Sequence, residues 1–218
     1  MTTDTLPAEV RKPGNARDRL IGAAVKIVRE KGFNATSVEA LCHEAGVTKG
    51  AFFHHFRSKT DLGIAAAEAW KLNANALFGA APFMQAEDPL DRFLGYIEFR
   101  RDMLDGPVPE FTCLVGTMVQ ESYLTLPALR EACQASIWGH ALTLTDDIEA
   151  ARRKYGVGGD WTSESLALHV QAVLQGSFIM AKATDDAAAA RDTANHLIRY
   201  VRMLFDKPEI SPDGGNHG

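Results

Sequence analysis

From about residue 15 to residue 205 the apolar residues return every three or four positions, and no stretch alternates as a half-buried strand must. A chain patterned this way buries its hydrophobic residues as helices, each laying a stripe against its neighbours. Hydrophobic residues make up 46% of the 218, ample for a real core. The expected class is therefore all-α, with about nine helices in two unequal groups.

Start and stop signals bracket those helices. The first stripe carries Leu20, Ala24, Ile27, Val28 and Lys31, and Gly32 ends it. Thr36-Ser-Val-Glu39 has the spacing of a capping box and opens a short helix with Val38, Leu41, Cys42 and Ala45 facing inward. Ala45-Gly46-Val47 reads as a tight turn, after which Thr48 caps a third helix. Ser58, with Asp61 three residues on, begins a fourth helix reaching about Ala80. Asp88-Pro89 starts a fifth through Leu104, proline standing where its missing N–H costs nothing. A short helix is expected over roughly 111–123, a long one from Pro127 to about Tyr155, and two last ones over about 162–182 and 187–205. The domain organisation that follows is a flexible arm over 1–14, a three-helix head over 15–62, a helical body over 63–205 and a disordered tail over 206–218.

Charge separates head from body. The formal net charge of −5 gives no hint of a polyanionic partner, but residues 1–60 carry ten Lys and Arg against six Asp and Glu, and the rest carries 13 against 22. A basic head on an acidic body suggests that only the head meets a polyanion. Three short helices with a glycine in the second turn fit the helix-turn-helix plan. On the third helix Phe52 and Phe56 share a face that can pack down, while Lys49 with Phe53 and Gly50 with His54 point the other way. Gly50 costs about 1 kcal/mol of helix propensity relative to alanine, which makes sense if another backbone comes very close. Lys59 stands in the first turn of its helix, where the macrodipole disfavours a cation, and a docked phosphate would reverse the sign. A lone solvated lysine explains that position equally well.

The run from Thr36 to Leu62, with Ala45-Gly46-Val47, Gly50, the aromatic pair, His55-Phe56 and Ser58-Lys59, resembles the DNA-binding signature of the tetracycline repressor (TetR) family. The likeness covers about residues 16–62 and extends further only as an all-helical layout of the right length. It implies a dimeric repressor on a palindromic operator, released by a small molecule bound in the C-terminal domain. It also implies contacts to DNA from Thr36, Thr48, Lys49, Gly50, Phe53, His54, His55 and Lys59. Lys49 is then the candidate for a guanine edge or a phosphate, and His54 for a base or phosphate. Phe53 departs from the family's usual tyrosine and loses that hydroxyl's bond to phosphate. Arg11, Lys12 and Arg17 are weaker candidates for backbone contacts.

In the body, Ser165 to Ala181 holds no charged residue yet is too polar for a bilayer, so protein should cover it all round. With the stripe Ala190, Ala194, Leu197, Ile198, Val201, Leu204 and Phe205 on the last helix, it resembles the family's four-helix dimer contact; an internal hairpin is the alternative. A homodimer must place its two recognition helices about one turn of DNA, roughly 34–36 Å, apart. Trp70, Phe99, Met103, Cys113, Met118, Trp138, Leu142 and Phe178 are each explained by an ordinary core. The resemblance raises the case that some line a cavity for an apolar or aromatic effector, with Asn73, Tyr96, His140 and His169 as polar anchors.

Other classes are poorly supported. Cys42, Cys113 and Cys133 form no C-x-x-C pair, which argues against a disulfide framework or zinc. His54 and His55 point about 100° apart on a helix and do not make a metal site. Cys113 or Cys133 with His140 or His169 could be imagined as nucleophile and base, but no motif joins them. Gly156-Val-Gly-Gly lacks the strand and spacing of a nucleotide loop. A helical protein-interaction module would leave the outward Lys49 and His54 unexplained. No cofactor is expected, no apolar stretch is long enough for a bilayer, and Asn34-Ala-Thr has no secretion signal to make it a glycosylation site. The expected compartment is the cytoplasm.

Overall fold

The computed structural model describes residues 14–206, so the expectations for residues 1–13 and 207–218, Arg11 and Lys12 included, lie outside the described residues. Helix α1 spans Ala16–Lys31, with Asn15 as its cap accepting from the Asp18 amide at 3.0 Å. Helix α2 spans Val38–Ala45 and α3 spans Lys49–His55. The turn between them rests on Gly46, at φ 61°, whose N–H reaches back to the Cys42 and His43 carbonyls. No neighbour crowds that glycine, so it is the left-handed backbone alone that asks for it.

Helix α4, Lys59–Gly79, carries the chain from head to body. A 3-10 turn over Pro82–Gln85 leads to α5, Pro89–Asp102, and then come α6, Val108–Phe111, and α7, Leu114–Ser122. Next are α8, Pro127–Leu142, and α9, Thr145–Tyr155. The chain closes with α10, Ser163–Thr184, and α11, Ala188–Leu204. The described residues form helices throughout, with no strand.

Two segments expected as single helices are divided. The stretch 127–155 breaks after Leu142, where the Thr143 hydroxyl donates to the His140 carbonyl at 2.7 Å and its N–H takes the same carbonyl in a tighter turn. A threonine that claims a helix carbonyl weakens continuation, and Asp146 and Asp147 then favour a fresh N-terminus. The stretch 111–123 is interrupted by Thr112 and Cys113 in extended backbone. The capping expected of Thr36 belongs to Ser37, whose hydroxyl accepts from the Ala40 amide at 3.1 Å. Thr36 is instead buried, and its hydroxyl donates to the Gly32 carbonyl at 2.6 Å.

Two main cores hold the molecule. One joins the head to α7 and α8, gathering Leu20, Leu41, Phe52 and Leu62 with Leu114, Met118 and Leu129. The other packs α5, α9, α10 and α11 around Phe93, Ile97, Ile148, Leu174 and Val201. The apolar stripe of the last helix is spent here: Leu197, Ile198, Val201 and Phe205 are buried within this core, and Ala190 and Ala194 in a smaller cluster with Phe178. That corrects its assignment to a subunit contact. The outward faces are Ile179 and Met180 on α10 and Tyr200 and Met203 on α11, exposed by 50, 51, 45 and 78%.

Candidate functional site

On the head, α3 turns one face inward and leaves the other bare. Phe52 is fully buried and Phe56 nearly so, their rings 6.0 Å apart. Thr48 caps the helix, its hydroxyl oxygen accepting from the Ala51 amide at 3.1 Å. Outside stand Lys49, Gly50, Phe53, His54 and His55, all exposed. A Cβ on Gly50 would meet only the Thr48 hydroxyl, at 3.7 Å, so nothing within the chain requires glycine there. Phe53 is 52% exposed, a costly setting for a phenyl ring unless something covers it. Lys49 pairs with Glu39 at 2.6 Å, an exposed ion pair that keeps the ammonium on this face and raises its pKa.

Two expected DNA contacts sit elsewhere. Thr36, buried and hydrogen-bonded, has no hydroxyl to offer a phosphate. Lys59 folds back beneath the head: its ammonium donates to the Phe33 and Thr36 carbonyls, both at 2.9 Å, and lies 4.6 Å from the Phe33 ring centre. Partial burial lowers its pKa. The same helix start keeps the exposed Arg57 just before its Ser58 cap, a candidate that the sequence did not single out. Arg17 lies over the Phe56 ring, 5.6 Å from its centre.

The body encloses a cavity of about 210 Å³ among α4, α5, α6, α7, α8 and α10. Of the residues proposed for it, Trp70, Asn73, Met103, Cys113 and Phe178 line it, as does the anchor His140. Trp138 and Leu142 do not, because α8 turns Ser136, Ile137 and His140 inward and leaves those two 46 and 41% exposed. Met118 is fully buried in the head-side core, and Phe99 stacks against Phe78 and Phe83 outside the cavity. His169 lies on the outer face beside Tyr200, ring centres 5.4 Å apart. Missed were Phe78, Arg100, Gln171 and Gln175. The signals available were Arg100 four residues after Tyr96, and two glutamines four apart in the uncharged helix.

Behind the cavity wall Tyr96 anchors a polar cluster. Its hydroxyl lies 2.9 Å from His140 Nε2, accepts from Gln171 Nε2 at 3.0 Å and accepts from Arg100 Nη1 at 3.3 Å. Burial, then the Arg100 charge, lowers the His140 pKa to about 4, so the ring is neutral at pH 7. Burial raises the Tyr96 phenol. Burial also pushes the Cys133 thiol up to about 12, which opposes any role as nucleophile. Among the described residues no three His, Cys, Asp or Glu side chains gather as a metal site would need, and no helix is long and apolar enough to cross a membrane.

Residues 20–66 match the family model described as bacterial regulatory proteins, tetR family. Over those residues the chain carries a TetR-family DNA-binding domain. The match falls on α1 to α3 and the start of α4, the segment whose outer face is described above. Among similar proteins, the transcriptional regulator AcuR of Cereibacter sphaeroides is 31% identical over 130 residues, covering 55% of this chain and 59% of that protein. The chain thus spans little more than half the length of that relative. A TetR-family regulator from Agrobacterium tumefaciens superposes with a TM-score of 0.75 at 19% identity, over 87% of this chain and 98% of that one. Another from Chloroflexus aurantiacus gives 0.75 at 22%, over 88% and 96%. Those two likenesses establish that the body as well as the TetR-family head follows this fold.

Proposed function

We propose that this protein is a cytoplasmic, ligand-responsive transcriptional regulator, a repressor that binds a palindromic operator as a homodimer and leaves it when a small molecule enters the body. The single observation that carries the DNA half is the outer face of α3, where Lys49, Gly50, Phe53 and His54 are bare on a helix fastened from behind by Phe52 and Phe56. A glycine that no neighbour demands lets a sugar-phosphate backbone approach, and Phe53 offers a thymine methyl an apolar contact. Lys49 exchanges its weak surface pairing with Glu39 for a base edge or phosphate. His55, Arg57 and the free amides at the start of α4 supply further phosphate contacts, a role that passes from Lys59 to its neighbours.

Dimerisation uses the outward faces of α10 and α11. Along α10 the exposed side reads His169, Ala172, Gly176, Ile179, Met180 and Ala183, without charge, and Tyr200 and Met203 continue it on α11. An exposed apolar face on two antiparallel helices, bordered on α11 by Asp192, His196 and Arg199, marks an interaction site. A second copy brings the same two helices and, with them, the second α3.

Release follows from a shared lining. Trp70 of α4 and Glu110 of α6 both border the cavity, and Arg29 of α1 touches both: it donates to the Glu110 carbonyl at 2.8 Å and lies 5.2 Å from the Trp70 ring centre. Glu121 of α7 accepts from the Asn34 amide at 2.7 Å, a second tie into the head. A ligand that prefers one setting of α4 and α6 therefore biases the spacing of the two heads, by no more than its difference in affinity for the two states.

Gel retardation on operator fragments selected from genomic DNA tests the proposal. Lys49→Ala is expected to abolish specific binding while the dimer and its helical content persist. Unchanged binding would show that the recognition face has been misassigned.

A further inference from the structure

The cavity holds one formal charge that its surroundings leave without a counter-ion. Other arginines near Arg100 have carboxylates: Arg92 meets Asp147 at 2.6 Å, Arg101 meets Asp102 at 2.8 Å, and Arg202 meets Glu98 at 3.2 Å. Arg100 has none within ion-pair distance among the described residues. Its polar partners are the Tyr96 hydroxyl and, at 3.5 Å, His140 Nε2, both reached by Nη1 alone. Aromatic rings fill the rest of its shell, with Phe78 and Phe178 at 5.5 and 5.7 Å. The acidic residue in the lining, Glu110, has its carboxylate beside Gly106, where an added Cβ would lie 3.6 Å from Oε2. A guanidinium has five N–H donors, so Nε and Nη2 remain for a visitor.

His140 adds a second spare donor. A proton on Nε2 would face the Arg100 guanidinium 3.5 Å away, so the proton belongs on Nδ1 and Nε2 accepts from the Tyr96 hydroxyl. Nδ1 is buried without a partner, in a ring that is 9% exposed and lines the cavity. No other described residue satisfies it, and buried polar atoms are rarely left so. Around Tyr96, every unfilled function on Arg100 and His140 is a donor, and one carries a full positive charge.

Size narrows the class. A dry apolar cavity of about 150 Å³ accommodates benzene, and a water-sized group takes about 30 Å³ more. The 210 Å³ here thus fits one ring, or a short aliphatic chain, with one small polar group attached. We propose that the effector is a small monocarboxylate, its carboxylate held by Arg100 and its apolar part against Trp70, Phe78 and Phe178. One guanidinium balances one negative charge; a phosphate monoester, at −1.5 to −2 by about pH 7, would bury an uncompensated remainder. This identification rests on the reading of the cavity as the effector site, and it adds an acidic group to the apolar or aromatic effector expected from sequence.

The purified full chain, without DNA, is titrated by calorimetry and Trp fluorescence with benzoate, hexanoate, benzamide and phenyl phosphate. Benzoate or hexanoate is expected to bind wild type at least tenfold more tightly than benzamide or phenyl phosphate. Arg100→Gln is expected to lose at least tenfold for the carboxylates and little for benzamide. Arg100→Lys, which keeps the charge without the planar fork, is expected to recover part of the loss and guards against a folding defect. The proposal is overturned if benzamide matches benzoate, if phenyl phosphate binds better, if Arg100→Gln binds carboxylates unchanged, or if no carboxylate binds by about 1 mM. Operator retention with and without benzoate is measured separately: carboxylate binding that leaves retention unaltered would defeat the effector role while the ligand class stands.

Discussion

His140 stands with its ring 4.8 Å from that of Phe78 and 5.7 Å from that of Tyr96, a setting that admits a neutral imidazole and resists a charged one. Its pKa falls from the ordinary 6.5 to about 4. Between those values the unfolded chain binds a proton that the folded chain refuses, so stability is full at neutrality and declines as pH falls from 6.5 to 4. The total loss from this one ring is about 3 kcal/mol. Urea melts at pH 7 and pH 5 should show the decline in wild type and a flatter dependence in His140→Asn; equal slopes in the two would remove His140 as the cause. The ring is also an example of what residue identity alone conceals. As a letter it was an imagined base or a polar anchor, and only the Tyr96 hydroxyl and the Arg100 charge beside it decide its tautomer.

Lys59 works between elements. Its ammonium spans the start of α4 and the loop before α2, holding two carbonyls that have no other helix to join. Lys59→Met removes both bonds and leaves the Thr36 carbonyl short of a donor, while the Phe33 carbonyl keeps the Thr36 amide at 3.2 Å. The expected cost is about 1–2 kcal/mol, the low half of the range for a charged donor because the ammonium keeps some contact with water. Thermal unfolding should move down by about 2–8 °C for a chain of this size, with the salt dependence of DNA binding unaltered. An unmoved melting temperature together with a salt slope flatter by about one would restore Lys59 as a phosphate contact. Helix starts were legible at Thr48, Ser58 and Asp88, where a side chain accepts from an amide two or three residues on, whereas at α2 the cap moved from Thr36 to Ser37. The break after Leu142 was not, because it depends on which carbonyl the Thr143 hydroxyl finds once the helix has packed.

For the whole molecule, the proposed seat of assembly is the exposed apolar face of α10 and α11. Ile179→Asp changes a half-exposed side chain in a single chain, so it should leave the monomer's melting largely unaltered. In a dimer that seats this face it buries a charge, and sedimentation should show monomers at concentrations where wild type is dimeric. A dimer of undiminished strength would place the interface elsewhere. DNA retention should fall with the dimer, since one head alone keeps only half the contacts.

The all-helical class, the head with its glycine turn, the face of α3 and the course of α4 could all be read from the chain, because caps, left-handed glycines and three-four stripes act between residues a few positions apart. The direction taken by Lys59, the burial of the α11 stripe within its own subunit and the cavity were decided by tertiary packing. His140 meets Tyr96 across 44 positions and Gln171 meets it across 75, separations at which periodicity holds no information. Arg100 and Arg101 are adjacent and chemically alike, yet one stands against Tyr96 and His140 while the other pairs with Asp102. The 100° between neighbours on a helix separates them, and which of the two faces the cavity is settled only when α8 and α10 close around α5.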